Sequence, residues 1–236
     1  MTSRSRLVPC LLSLVLLAGC ASTKVAQRQV LVTEKIPRPG NIWVYDFAAT
    51  PADVPAESGL AGQVADPATP QTAEQIAEGR KVGAELAKQL VQQIQAMGMP
   101  AAQASPATTP ALNDLVIRGY LLSVQTGSAV ERVAIGFGAG GSELRVAVEG
   151  FQMTAEGLRK LGSGTVDSGG GKTPGAALGA ATFIATANPV GLVVSTGVKA
   201  YGEASGSSTI EGRAKAAAKE IADQLQPRFQ QQGWIQ

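Results

Sequence analysis

Ile42-Trp43-Val44-Tyr45-Asp46-Phe47 is the stretch that decides the fold. Residues on both of its faces are apolar, which is typical of a strand buried inside a sheet. Asp46 interrupts the apolar run. It is either a polar site at the end of the strand or a carboxylate that caps a nearby backbone turn. The stretch therefore predicts a central strand around which the other elements pack.

A long helix is predicted after this strand, from about residue 73 to residue 97. Thr72 and Gln75 have the spacing of a capping box, which marks a helix start. Apolar residues then recur at three- and four-residue steps, as on the buried face of a helix. They are Ile76, Gly83, Leu86, Leu90, Ile94 and Met97. Gly98 and Pro100 end the pattern, because glycine favours a C-terminal cap and proline stops the helix.

Three further strands are predicted downstream. Residues 115–124 are apolar at most positions, residues 143–153 alternate, and residues 158–166 form a weaker strand. In the alternating strand one face holds Leu144, Val146 and Val148, and the other holds Glu143, Arg145 and Glu149. These strands predict a single mixed or antiparallel sheet with the first helix packed on it.

A second long helix is predicted from about residue 209 to residue 232. Its apolar face comprises Ala214, Ala218, Ile221, Leu225 and Phe229. Pro227 is expected to kink this helix, and Gly233 to end it. The complete pattern predicts an α/β (α+β) fold with one sheet, two long packed helices and a Gly/Ala-rich apolar segment.

That apolar segment, residues 173–198, contains no charged residue and lies between Lys172 and Lys199. It is long enough to cross a bilayer, but Asn188-Pro189 divides it and small residues dominate. Three interpretations stay open. The segment forms a helical hairpin packed on the domain, a surface for self-association or a partner, or an insertion into the membrane.

Two glycine-rich motifs look like nucleotide-binding loops but fail. Gly136, Gly138 and Gly141 have the spacing G-x-G-x-x-G, yet the residues that follow alternate like a strand, where a dinucleotide site needs a helix. A phosphate loop ending at Lys172 would need glycine at position 166, which is Val166. We therefore expect no cofactor.

Composition excludes several kinds of chemistry. The chain has no histidine, which removes Ser-His-Asp triads, Cys-His dyads and histidine metal sites. We expect no catalytic residue and no metal ligand. A carboxylate-based hydrolase would need two close acids, such as Asp46 and Asp114. Without Arg4 and Arg6 of the leader, 20 basic and 18 acidic residues become 18 of each, and this neutrality argues against nucleic-acid binding.

The first 20 residues have the pattern of a bacterial export signal. Two arginines precede residues 7–17, an apolar run too short to span a bilayer. Leu17-Ala18-Gly19-Cys20 resembles a bacterial lipobox, which implies cleavage before Cys20 and lipid on its sulfur. The three palmitate-like acyl chains that this resemblance implies suffice for stable anchoring. Ala21 is not the aspartate of an inner-membrane retention signal, so we expect the outer membrane, facing the periplasm.

These assignments predict the organisation of the chain. Residues 1–19 are the signal peptide, residues 20–40 a lipidated tether, and residues 41–236 one periplasmic domain. Within the tether, residues 28–36 could pair as an edge strand before two prolines end it. Cys20 would be the only cysteine after cleavage, so no disulfide can form within the chain.

Five stretches occur in an order that is typical of a known family. They are residues 44–47, 78–80, 113–119, 135–140 and 232–235. Together they resemble the bacterial lipoproteins grouped as domain of unknown function family 4410, over nearly the whole mature chain. The resemblance implies a periplasmic α/β lipoprotein domain. It brings no established activity and no catalytic residues.

We therefore expect an outer-membrane lipoprotein whose periplasmic domain binds or scaffolds envelope components, and not an enzyme. Its expected partners are the membrane, through lipid on Cys20, and an unidentified envelope protein or a second copy of the chain. The alternative is an oligomeric pore or secretion accessory that uses residues 173–198.

Overall fold

The computed structural model describes residues 22–59, 71–125, 143–169, 193–195 and 209–236. These residues form one open mixed sheet of seven strands with two helices, the α+β fold that the sequence predicts. The strands are β1 (Ser22–Val30), β2 (Ile42–Val44), β3 (Ala101–Gln103), β4 (Leu115–Gln125), β5 (Glu143–Thr154), β6 (Gly157–Gly169) and β7 (Val193–Ser195). The helices are α1 (Ala73–Ala96) and α2 (Ile210–Gln232).

The strands follow the order β1-β6-β5-β4-β2-β3, with β7 also beside β4. The pairs among β1, β6, β5 and β4 are antiparallel, whereas β2 and β7 run parallel to β4. β2 pairs with β4 over residues 115–117, and β7 pairs with it over residues 123–125. β2 therefore lies between β3 and β4, as predicted for a central strand, although it ends at Val44.

The two helices and one face of the sheet share a single hydrophobic core. Thr72 caps α1, because its side-chain oxygen accepts a hydrogen bond from the backbone N–H of Gln75. The side-chain oxygen of Gln75 in turn accepts a hydrogen bond from the backbone N–H of Thr72. The predicted capping box is therefore confirmed. Gly98 and Gly233 follow the helices with φ of 81° and 78°. Both glycines adopt the left-handed conformation that side chains disfavour.

Phe47 lies just beyond β2 and occupies a slot between two glycines. A Cβ atom at Gly119 of β4 would lie 2.1 Å from the Phe47 ring, and one at Gly83 of α1 would lie 2.2 Å from the Phe47 carbonyl oxygen. The Phe47 N–H also donates to the carbonyl oxygen of Gly83 at 3.3 Å. The helix and the sheet thus approach this residue as closely as only glycine allows.

Three elements differ from the predictions. β1 occupies residues that were assigned to the tether, and it begins before the predicted edge strand at residues 28–36. It pairs with β6 at the edge of the sheet. The sheet therefore begins at Ser22 and not at residue 41. β3 lies between the predicted helix and the predicted strand at residues 115–124, where no helix or strand was predicted. β7 is a strand, so the helical-hairpin interpretation of residues 173–198 is wrong for Val193–Ser195. Elements of three residues are too short to produce a detectable period.

Within the ranges given above, no helix is long and apolar enough to cross a membrane.

Candidate functional site

The predicted lipid-attachment residue, Cys20, lies outside the described residues. The same holds for Gly136, Gly138 and Gly141 and for residues 173–198 apart from β7. Since β1 begins at Ser22, only Ala21 separates Cys20 from the edge of the sheet.

The two acids considered for hydrolysis lie at opposite ends of one strand pair. Ile42 pairs with Leu115, so Asp114 is level with residue 41, whereas Asp46 follows the end of β2. At about 3.3 Å per residue the five intervening steps separate the two levels by roughly 16 Å. Asp46 and Asp114 therefore do not form a carboxylate pair.

Asp114 instead joins the start of β2 to the start of β4. Its buried carboxylate accepts hydrogen bonds from the backbone N–H groups of Asn41 and Ala111 and from the indole N–H of Trp43, each at 2.9 Å. Asp46 is exposed and accepts a hydrogen bond from the side-chain amide of Gln103 at 2.6 Å, rather than from a backbone turn. Both acids therefore have structural partners.

A buried carboxylate, Glu149, lies at the centre of the sheet face that points away from the helices. Only 2% of Glu149 is exposed. It accepts hydrogen bonds from the Ser58 hydroxyl at 2.7 Å, the Gly59 N–H at 3.0 Å and the Tyr120 hydroxyl at 3.0 Å. It also forms an ion pair with Lys160. A buried charge needs such partners, and these contacts fasten residues 58–59 onto the sheet.

Tyr120 is a hydrogen-bond donor at this cluster. Burial, together with the negative charge of Glu149, raises the pKa of the Tyr120 hydroxyl far above its ordinary value. The hydroxyl therefore stays protonated at neutral pH and donates to Glu149. It cannot serve there as a base.

Arg118 makes a second contact with the segment over the sheet. Its guanidinium lies 5.1 Å from the centre of the Tyr45 ring and forms an ion pair with Glu57. Burial opposes the charge of Glu57, but the backbone N–H of Glu57 and the guanidinium of Arg118 outweigh it, so the pKa of Glu57 lies below its ordinary value. Glu57 is thus held as an anion by its cationic partner.

A cleft of about 610 Å³, lined by both polar and apolar residues, opens beside these residues. Its walls include Tyr45, Asp46, Arg118 and Tyr120. Aromatic rings and charged groups on one wall can bind a polar ligand. The hydroxyl of Tyr120 and the guanidinium of Arg118 are already engaged with carboxylates, so this arrangement supports binding rather than an activated nucleophile.

A second cavity, of about 200 Å³, lies between α2 and the β1–β6–β5 side of the sheet. Most of its lining is apolar. The apolar side chains are those of Val25, Val30, Ile36, Val148, Leu161, Ile221, Leu225, Phe229 and Trp234. Arg28 and Arg228 also line it. Because β1 and α2 are distant in the sequence, no local pattern indicated this cavity.

Glu149 is the site residue that the sequence pattern did not reveal. Alternation placed it correctly on the face with Glu143 and Arg145, but the pattern gave no indication that this carboxylate is buried. The β5–β6 hairpin register could have suggested Lys160 as a partner, since it pairs with Phe151, two residues from Glu149. Ser58 lies 91 residues away from Glu149, and no local signal reveals that contact. In the ranges described above, no acidic, cysteine or histidine cluster could hold a metal ion.

Comparison with protein families gives a match to "Domain of unknown function (DUF4410)" over residues 42–187. Comparison with curated proteins gives no match. Among solved structures, a PelC variant dodecamer from Paraburkholderia phytofirmans is 14% identical, with 70% of this chain and 94% of that chain covered and a TM-score of 0.37. A second PelC dodecamer from the same organism has the same identity and coverage and a TM-score of 0.36. Structural similarity this weak supports no conclusion about this chain.

Proposed function

Because the chain belongs to the DUF4410 family, which has no assigned activity, we propose a role from the chain's own residues. The protein is an outer-membrane lipoprotein whose periplasmic α+β domain binds or scaffolds envelope components and does not catalyse a reaction. The observation that carries this proposal is Leu17-Ala18-Gly19-Cys20, placed directly after an apolar export segment. Ala21 favours the outer membrane over the inner membrane.

Two features of the domain support binding rather than catalysis. Asp46 and Asp114 are about 16 Å apart along the strands, and Glu149 is occupied by four partners. The cleft beside Arg118 offers an aromatic and charged wall instead. Such a wall suits reversible contact with a polar envelope component.

The anchor is tested by separating membranes from cells that express the chain with Cys20→Ser. Cys10→Ser is the matched control, because it replaces the other cysteine and leaves the lipobox intact. On a density gradient we expect the wild type and Cys10→Ser in the outer-membrane fraction, and Cys20→Ser outside the membrane fractions. Equal membrane association of Cys20→Ser would refute the lipid anchor. Wild-type chain in the inner-membrane fraction would refute the outer-membrane assignment.

A second candidate function is an oligomeric pore or secretion accessory. The observation that favours it is the absence of charge from residues 173–198. Because Val193–Ser195 belongs to the sheet, its test replaces only residues 173–190 by a Gly/Ser linker of equal length. Light scattering of the detergent-solubilised full chain should then give a discrete oligomer that becomes a monomer after the replacement. A monomeric wild type would exclude this candidate.

A further inference from the structure

The apolar cavity between α2 and the sheet is separate from the cleft beside Arg118. Its floor is formed by β5 and β6, and its opposite wall by Ile221, Leu225 and Phe229 of α2. Its volume of about 200 Å³ exceeds that of a dry apolar cavity of about 150 Å³ that accepts a benzene ring. A straight alkyl chain of roughly six to eight carbons fills such a space, if each carbon occupies about the volume of one water molecule.

A glycine on the floor helps to leave this space open. Gly150 of β5 lines the cavity, and a Cβ atom built on it would meet nothing within 4 Å. Glycine in a strand interior weakens the strand and packs nothing. Gly150 does not have a positive φ, so its backbone conformation is compatible with a side chain. The strand thus keeps a gap that a larger residue could fill.

Two arginines line the same cavity. Arg28 of β1 reaches across to α2 and donates to the side-chain oxygen of Gln224 at 3.1 Å. Arg228 follows one turn later on α2, and burial and the nearby charge of Arg28 lower the pKa of its guanidinium. Glu220, one turn before Gln224, accepts from the Gln224 amide. Within the described ranges neither arginine forms an ion pair with a carboxylate. Two neighbouring cations without a counter-ion favour an anion.

We propose that this cavity binds a single-chain amphiphile with an anionic head group. The alkyl chain lies against Gly150 between the sheet and α2, and Arg28 and Arg228 hold the head group. This site goes beyond the anchoring function and does not depend on lipid at Cys20. A fatty carboxylate and an alkyl phosphate share the required chemistry, and binding measurements distinguish them.

The test uses the full chain carrying Cys20→Ser, purified without detergent, so that lipid attached to the chain itself does not compete. Isothermal titration measures butanoate, hexanoate, octanoate and octyl phosphate, with octanol and octylammonium as head-group controls. Affinity should rise about fourfold per methylene and level off once the cavity is full. Octylammonium should not bind. The fluorescence of Trp234, which lines the cavity, supplies a second readout.

Variants locate the site. Gly150→Leu should weaken octanoate binding more than tenfold, and Gly150→Ala should weaken it less. Arg28→Gln and Arg228→Gln should each weaken octanoate several-fold and leave octanol unchanged. The matched control is Arg38→Gln, because Arg38 is exposed and, among the described residues, donates its hydrogen bond to the carbonyl oxygen of Gly98. Thermal unfolding verifies that each variant folds. If Gly150→Leu does not fold, the octanoate affinity of Gly150→Ala serves as the test instead.

Three results would overturn the proposal. The first is the absence of saturable octanoate binding by a chain that unfolds cooperatively. The second is equal affinity for octylammonium and octanoate, which would remove the role of the arginines. The third is unchanged octanoate affinity in folded Gly150 variants, which would place binding elsewhere. Preference for octyl phosphate over octanoate would support the proposal and assign the ligand to the phosphate class.

Discussion

Replacing Gly119 by alanine tests the close packing that holds Phe47 between α1 and β4. The new Cβ atom would lie 2.1 Å from two ring carbons of Phe47 and 2.5 Å from a third. Carbon atoms in contact are normally about 3.5–4.0 Å apart, so the overlap is roughly 1.5 Å. Phe47 is 1% exposed, so its ring cannot turn into solvent. We expect the free energy of unfolding to fall by about 3 kcal/mol, the upper end of the usual cost of overpacking.

A double-mutant cycle identifies the cause of this loss. Phe47→Ala alone should cost about 3–5 kcal/mol, because it leaves a cavity. In the double variant the ring is absent and the alanine at position 119 has room, so its cost should be no greater than that of Phe47→Ala alone. The coupling energy between Gly119 and Phe47 is therefore expected to be about 3 kcal/mol, since residues in contact are not additive.

The assay is equilibrium unfolding in urea, followed by tryptophan fluorescence, on the full chain carrying Cys20→Ser. Gly150→Ala is the matched control, because it adds the same methyl group to the neighbouring strand, where it meets nothing within 4 Å. It should leave stability unchanged or raise it by about 0.4–1 kcal/mol. A Gly119→Ala variant within about 0.5 kcal/mol of wild type, the usual range for uneventful surface changes, would refute the packing argument. Additive single effects would refute it too.

Three further predictions concern stability. Asp114→Ala should cost about 3 kcal/mol in urea unfolding and shift the fluorescence of Trp43, because buried donors lose their acceptor; unchanged stability would contradict this. Because burial and Glu149 raise the pKa of Tyr120, stability is fully present below about pH 10 and falls above it, by up to about 1.4 kcal/mol per pH unit. When unfolding is measured from pH 9 to 11.5, the free energy of unfolding should fall less steeply with pH in Tyr120→Phe than in the wild type. An equally steep fall would show that Tyr120 is not the titrating group. Gly233→Ala should cost about 1 kcal/mol because φ is positive there; an unchanged melting temperature would contradict this.

The long elements could be predicted because their residues carry a regular period. Thr72 and Gly98 bound α1 as the capping pattern indicated, and the alternation over β5 predicted its extent closely. Ser22–Val30 was assigned to the tether that follows the lipobox, and these residues join the sheet as β1 by pairing with β6. Pairing with a distant strand leaves no mark on the local sequence.

The site was less predictable because its contacts join distant segments. Glu149 was placed on the correct face, but its burial depends on Ser58 and Gly59, which the local pattern of β5 does not reveal. The apolar cavity depends on Arg28 and α2 meeting across about 200 residues. The glycine at position 150 was visible in the sequence, but only the three-dimensional structure shows that the space beside it is empty.

The central claim is that Cys20 is the lipid-bearing first residue of the mature protein. The most direct test is mass spectrometry of the amino-terminal peptide from the wild-type chain, purified from bacterial membranes. The account predicts a peptide that begins at Cys20 and carries the mass of a diacylglycerol group and a further acyl chain. An amino terminus at another residue, or an unmodified Cys20 thiol in the mature chain, would contradict it.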